Sequence, residues 1–287
     1  MNIQFKGWSS GMLGILIFSG TLPATRVAVA SFDPVFFTLA RAAIAGVLAV
    51  LLLLFLRQSR PSRSDIRGLL LVAFGVVVGF PLLIALALRH VSSAHATVFV
   101  GLLPMATVLI SVMHGDKNPP WLFWLFSLSG SLVVIGFVMG QGSYALASDD
   151  LLMFIAVSIC GLGYAEGARL ARHMGGWQVI CWVLVFSLPV ILPLCLWTLP
   201  DNLQQVAWPA LLSLGYVSVF STLLGFFFWY RGLALGGIAS ISQLQLLQPF
   251  FGLALAAMLL GEQVSMMMFA STMAVALCVV GARRFAS

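Results

Sequence analysis

The feature that most constrains this chain is a series of apolar stretches of about 20 residues, set end to end with polar joins of about ten residues or fewer. Each matches the length a helix needs to cross the hydrocarbon core of a bilayer. The stretches fall near 8–28, 34–56, 67–88, 93–113, 121–140, 151–171, 177–199, 208–232, 237–260 and 264–284. With 61% hydrophobic and 8% charged residues, against roughly half and a quarter in soluble domains, the chain has no segment left for a soluble domain. Pro34, Pro120 and Pro209 fall where stretches begin, the one helical position at which a missing N–H costs nothing.

The net charge of +6 would suggest an acidic partner for a soluble protein, but here the basic residues sort by membrane side. With the N-terminus cytoplasmic, the inner ends collect Lys6, Arg57, Arg60, Arg63, Arg67, Lys117, Arg169, Arg172, Arg231, Arg283 and Arg284. Arg26 and Arg89 remain outside, and Arg41 lies within a span. Eleven of 14 basic residues inside satisfies the positive-inside rule for a multi-pass inner-membrane protein with both termini cytoplasmic. Nucleic-acid binding is not indicated. The expected partners are the lipid bilayer and a small-molecule substrate, and a monomer suffices. Cys160, Cys181, Cys195 and Cys278 fall inside spans, as buried apolar fillers rather than a disulfide framework. Lys6, the apolar run after it and Ala28-Val29-Ala30 resemble a secretory signal peptide. Cleavage would leave nine spans and spoil the symmetry below, so the first span is expected to be retained.

Adding about 143 residues to the starts of the first five spans lands close to the starts of the last five. The chain therefore reads as two five-helix units, 1–145 and 146–287. Sliding 82–113 over 227–258 matches five residues, among them Pro104 with Pro249. Each of these prolines sits mid-span in the fourth helix of its unit and removes a backbone hydrogen bond there. Because five is odd, the second unit enters the membrane in the opposite sense, as in the inverted repeats of secondary transporters, whose substrate site lies between halves near mid-membrane. Pairs of glycines four apart at Gly7/Gly11, Gly75/Gly79, Gly136/Gly140, Gly163/Gly167 and Gly232/Gly236 are expected chiefly to let helix backbones approach closely.

Catalytic motifs are absent in any usable context. Gly7-Trp8-Ser9-Ser10-Gly11 matches a nucleophile elbow, but that chemistry needs a strand-turn-helix setting. The chain has no phosphate-binding loop and no His-Glu-x-x-His. No enzyme, cofactor or metal site is expected, and transport must run on a gradient. Arg41, about eight residues into the second span, is costly there unless paired or facing a wet cavity. Asp33 or backbone carbonyls are its expected partners, with substrate contact as the sharper reading. Glu166 and Arg169, three apart, read as an ion pair on one helical face; the sharper reading makes Glu166 a proton carrier. In the ninth span Ser242 and Gln245 share a face, Gln248 lies about 60° round and Gln243 nearly opposite, at about 100° per residue. Beside Pro249 these amides can bind an amino or carboxylate group, or hold helices together. Phe80 beside Pro81, Phe99 near Pro104, Tyr164 and Tyr216 lie nearer mid-span than the belt tryptophans Trp121, Trp124, Trp177, Trp197 and Trp208, and suit a pocket for a flat apolar ligand.

Ala239-Ser240, Pro249 and Leu260-Gly261-Glu262, echoed by Ala94, Pro104 and a degenerate His114-Gly115-Asp116, resemble the drug/metabolite transporter superfamily, specifically its ten-helix EamA-type exporters. The resemblance covers essentially the whole chain. It implies an all-α integral membrane fold, ten transmembrane helices as two inverted five-helix repeats around a central cavity that opens alternately to the two sides. Arg41 falls where the family often carries arginine, whereas Gln248 replaces a glutamate of some relatives, which removes one possible proton-binding carboxylate. The aromatic mid-span positions look most similar to exporters of aromatic amino acids. Threonine, a polyamine, a nucleotide sugar or a drug are the alternative cargoes, and a solute channel is the alternative class.

Overall fold

The computed structural model describes residues 3–90, 96, 99–139, 148–200, 206–260 and 266–286, and every regular element among them is helical. The first stretch is α1 (Ile3–Ser19), which breaks at Gly20 into α2 (Thr21–Ala28). Next come α3 (Pro34–Phe55), α4 (Arg63–Val72), a first π segment (Ala73–Gly79) and α5 (Phe80–Ala87). These are followed by α6 (Leu103–Met113), α7 (Trp121–Met139), α8 (Ser148–Met174), α9 (Gly176–Trp197) and α10 (Trp208–Tyr216). A second π segment (Val217–Leu224), α11 (Gly225–Gly236), α12 (Ile238–Ser242), a 3₁₀ segment (Gln243–Leu247), α13 (Gln248–Leu260) and α14 (Met266–Arg284) complete the chain.

Six of the runs are apolar and long enough to cross a bilayer: Ile3–Ala28, Pro34–Phe55, Arg63–Ala87, Asp149–Met174, Gly176–Trp197 and Trp208–Gly236. Helices α6 and α7 are shorter apolar elements. The prolines act as expected at starts. Pro34 opens α3, where the Asp33 carboxylate accepts from the N–H groups of Val35 at 2.8 Å and Phe36 at 3.3 Å, meeting two of the orphan donors of the first turn. The outer surface carries large apolar side chains, with Phe55 and Trp197 each 84% exposed. An apolar surface of this extent fits acyl chains rather than water.

Glycine pairs decide which helices touch. On α1 a Cβ at Gly7 would lie 2.6 Å from the Gly236 nitrogen, and a Cβ at Gly232 on α11 would lie 2.7 Å from the Gly11 nitrogen. The two Gly-x-x-x-Gly faces therefore meet backbone to backbone. The same contact recurs between the first π segment and α8, where a Cβ at Gly75 would lie 2.7 Å from the Ile159 carbonyl oxygen and 2.9 Å from Gly163 Cα. A Cβ at Gly136 on α7 would meet nothing within 4 Å among the described residues, and Gly140 lies outside them. Elsewhere α3 packs on α9, α7 on α14, and α6 on α8.

Chain ends and polar loops gather at one pole. The Arg283 guanidinium sits 4.4 Å above the Trp8 ring, joining the two termini. Asp116 accepts from Ser111 and pairs with Arg172 at 3.2 Å, and Asp65 lies 3.2 Å from His173. At the opposite pole Arg89 lies 3.9 Å from Asp33, and His90 lies 3.3 Å from Asp149.

Several sequence expectations change here. The stretch 237–260 is not one continuous helix, because the 3₁₀ segment Gln243–Leu247 interrupts it. The stretches 67–88 and 208–232 each carry a π segment. Pro104 sits in the first turn of α6 rather than in mid-helix. Ala94, Gly261 and Glu262 lie outside the described residues.

Candidate functional site

Breaks in the helices converge on a cavity of ≈ 40 Å³ lined by Phe18, Thr21, Leu22, Arg41, Val76, Phe80, Pro81, Val100, Leu103, Tyr164, Ser221, Phe226, Gln245 and Gln248. These residues come from both halves of the chain. Two of the breaks have a proline as local cause. Pro81 has no N–H to continue the ladder, and it follows directly on the π segment, whose closing Phe80 N–H reaches back to the Gly75 carbonyl. Pro249 likewise cannot bond the Gln245 carbonyl four residues back. That carbonyl instead accepts the Gln248 N–H, a 3₁₀ bond. Three residues per turn bring Gln245 and Gln248, three apart, onto one face, and both line the cavity. The α-helical offset of about 60° expected from sequence is thereby removed.

The cavity has an aromatic wall and a polar side. Phe18 meets Phe226 edge-on at 5.1 Å, Tyr164 meets Phe226 at 5.9 Å, and Trp229 stands behind, 5.5 Å from Tyr164. Edge-to-face packing of this kind fixes the rings. On the polar side Arg41 is 5% exposed. Its Nε donates to Thr222 Oγ1 at 2.9 Å, and Thr222 Oγ1 itself donates to the Val217 carbonyl at 2.8 Å. That i→i−5 reach uses the carbonyl geometry of the second π segment, so the hydroxyl proton is committed and a lone pair is left for Arg41. Among the described residues this is the guanidinium's one hydrogen bond, and no described carboxylate lies within ion-pair distance of it. The expected Asp33 partner is taken up by its own helix cap and by Arg89. Gln248 Nε2 donates to the Phe18 carbonyl at 3.2 Å, while the buried Gln245 Oε1 has no partner among the described residues.

Of the remaining residues singled out in the sequence, Phe80, Pro81, Tyr164, Gln245, Gln248 and Arg41 meet at this cavity. Others do not line it. The Tyr216 hydroxyl donates to the Ile17 carbonyl at 2.5 Å beside the α1/α2 break, and the Ser242 hydroxyl donates to the Ala239 carbonyl at 3.3 Å. Backbone carbonyls thus absorb both hydroxyls, one across helices and one within its own turn. Phe99 packs on the hydrophobic core, and Pro104 and Pro249 are buried in their helices and act through the backbone. Glu166 pairs with Arg169 at 3.5 Å on α8, as their spacing suggested. The cysteines are free, and Cys160, Cys181 and Cys195 are buried. Sequence reasoning missed Phe18, Thr21, Ser221, Thr222 and Phe226. The adjacent hydroxyls Ser221-Thr222 inside an apolar stretch were the available signal; in the structure Thr21 Oγ1 and Ser221 Oγ lie 2.9 Å apart.

A polytopic all-α protein with a buried cavity between helix breaks is the class defined by this fold. Within that class, the chain belongs to the EamA-like transporter family, whose model matches residues 5–139 and again 148–283. It is 58% identical over 286 residues, the full length of both chains, to "Uncharacterized transporter YdeK" of Bacillus subtilis (strain 168). It is 20% identical to "Uncharacterized transporter YyaM" of the same organism, over 77% of this chain and 76% of that one. A solved structure described as "Crystal structure of protein" shares the fold, with a TM-score of 0.74 at 16% identity, covering 98% of this chain and 97% of that one.

Proposed function

We propose that the protein is a secondary transporter that exports amino acids, aromatic ones first, across the cytoplasmic membrane by alternating access. The observation that carries this reading is the cavity itself, an aromatic wall facing a buried cation and free amide oxygen. A ring and a charged or polar head group are what such a lining complements. Its ≈ 40 Å³ holds a few waters at roughly 10–15 Å³ of such volume each and no aromatic side chain. Helices must part to admit cargo, as a carrier requires and an open channel does not. A polyamine is disfavoured by the Arg41 charge.

The reading includes ten spans in two inverted units, 1–145 and 146–287, with both termini cytoplasmic. Support comes from the paired family matches and from the π segments, Ala73–Gly79 and Val217–Leu224, which are offset by 144 to 145 residues (217 − 73 and 224 − 79). The glycine-mediated contact of α1 with α11 has its counterpart in that of α8 with the first π segment. Efflux from reconstituted liposomes loaded with labelled phenylalanine, tryptophan, threonine or a sugar, with and without a pH gradient, tests the proposal. Phenylalanine and tryptophan should leave fastest. Movement of the sugar alone would overturn the amino-acid assignment.

A further inference from the structure

We infer that Arg41 and Gln245 read the two charged groups of an α-amino acid zwitterion, Arg41 taking the carboxylate and Gln245 Oε1 the ammonium. The inference deepens the proposed function and rests on it. A guanidinium buried at mid-span is expensive without a counter-charge, and breaking a buried pair by leaving one charge alone is strongly destabilising. Here the only compensation among the described residues is one neutral hydroxyl, Thr222 Oγ1 at 2.9 Å. The terminal nitrogens, with the planar fork that binds carboxylates in bidentate fashion, have no partner among these residues.

The second observation is independent of the first. Gln245 is 1% exposed, and its Oε1 is buried without a donor, although buried acceptors are normally satisfied. Both residues line one cavity. A donor-only cation and a free acceptor in one cavity complement a ligand that carries an anionic acceptor and a hydrogen-bond donor side by side, as the carboxylate and ammonium of an α-amino acid do. The Phe18, Tyr164 and Phe226 rings then receive the side chain. Gln248 is spoken for, since its amide donates to the Phe18 carbonyl. Its part is to hold the α1 wall.

The test uses purified full-length protein and four probes that share one ring: phenylalanine, phenylalaninamide, 3-phenylpropanoate and phenethylamine. Each competes for binding of labelled phenylalanine. Where phenylalanine itself does not bind, direct calorimetry of the other three replaces the competition. Loss of either charged group should weaken binding about tenfold or more, as expected for a charge-assisted hydrogen bond. Arg41→Gln should erase the preference of phenylalanine over phenylalaninamide, and Gln245→Leu the preference over 3-phenylpropanoate. Arg41→Lys, which keeps the charge but loses the fork, should retain part of the first preference and covers failure of the glutamine variant to fold. Equal binding of phenylalanine and phenylalaninamide to the wild type, or unchanged preferences in the variants, overturns the inference while amino-acid export stands. Binding of 3-phenylpropanoate but not phenylalanine, lost in Arg41→Gln, overturns the amino-acid reading and the Gln245 role, and keeps Arg41 as a carboxylate site. Binding of none of the four overturns both.

Discussion

Thr222 is where a backbone irregularity becomes chemistry. Its hydroxyl spends its proton on the Val217 carbonyl and offers a lone pair to Arg41 Nε, so removing the hydroxyl strips a buried charge of its one acceptor among the described residues. Thr222→Val should destabilise the protein by about 1–3 kcal/mol, the cost of leaving a buried polar group unpaired, whereas Thr222→Ser should stay near wild type. Thermal unfolding of the two variants in the same detergent checks this. At the polar pole, Asp116 shows the opposite balance of forces. Burial pushes its carboxyl up, but the Ser111 hydroxyl and the Arg172 and Arg169 guanidiniums together outweigh that and hold it below the usual carboxylate value. A carboxyl whose folded value is depressed contributes stability above its unfolded value and loses it as pH falls through the folded one. Asp116→Asn should therefore lower the melting temperature at pH 7, and the gap to wild type should shrink as the pH falls below the ordinary carboxylate value of about 3.9 and through the depressed folded one. A gap that persists undiminished in acid would contradict the assignment.

Among the elements, two kinds of contact set the helix arrangement, and only one was visible in sequence. Glycine pairs at four-residue spacing announce close helix approach, and Gly7/Gly11 does meet Gly232/Gly236. Which pairs would face each other was not written in the spacing, since Gly136 has the same pattern and a Cβ there would meet nothing within 4 Å among the described residues. Gly232→Ala should sharply reduce folded, monodisperse protein, because its Cβ would lie 2.7 Å from a backbone nitrogen that cannot move aside. Gly136→Ala should leave the yield unchanged. Size-exclusion profiles of fluorescent fusions compare the two. Pro249 illustrates the other kind of device. The proline was legible as a helix break, but the 3₁₀ segment it produces was not, so a uniform period of about 100° per residue misplaced Gln248 relative to Gln245. Pro249→Ala restores the N–H, lets the Gln245 carbonyl bond four residues on, and should turn Gln245 about 60° from Gln248. Stability should hold or rise while binding of phenylalanine falls, read by calorimetry alongside unfolding. Phe18 and Phe226 were unreadable for a simpler reason. A phenylalanine facing a cavity and one facing lipid occupy the same kind of apolar run, and only packing separates them.

For the whole molecule, hydropathy and the chain's glycines and prolines together specified an all-helical membrane protein, and the family relationship agrees with that. The cavity draws its lining from both halves, beside the breaks at Pro81, at Val217–Leu224 and at Pro249. A void of ≈ 40 Å³ is too small for an aromatic amino acid, so the carrier we propose has to widen this cavity and open it to either side in turn. Counterflow measures that most directly. Proteoliposomes preloaded with unlabelled phenylalanine and diluted into labelled phenylalanine should accumulate label transiently above its equilibrium level, with a rate that saturates. Label that only equilibrates, at a rate linear in concentration, would contradict the account.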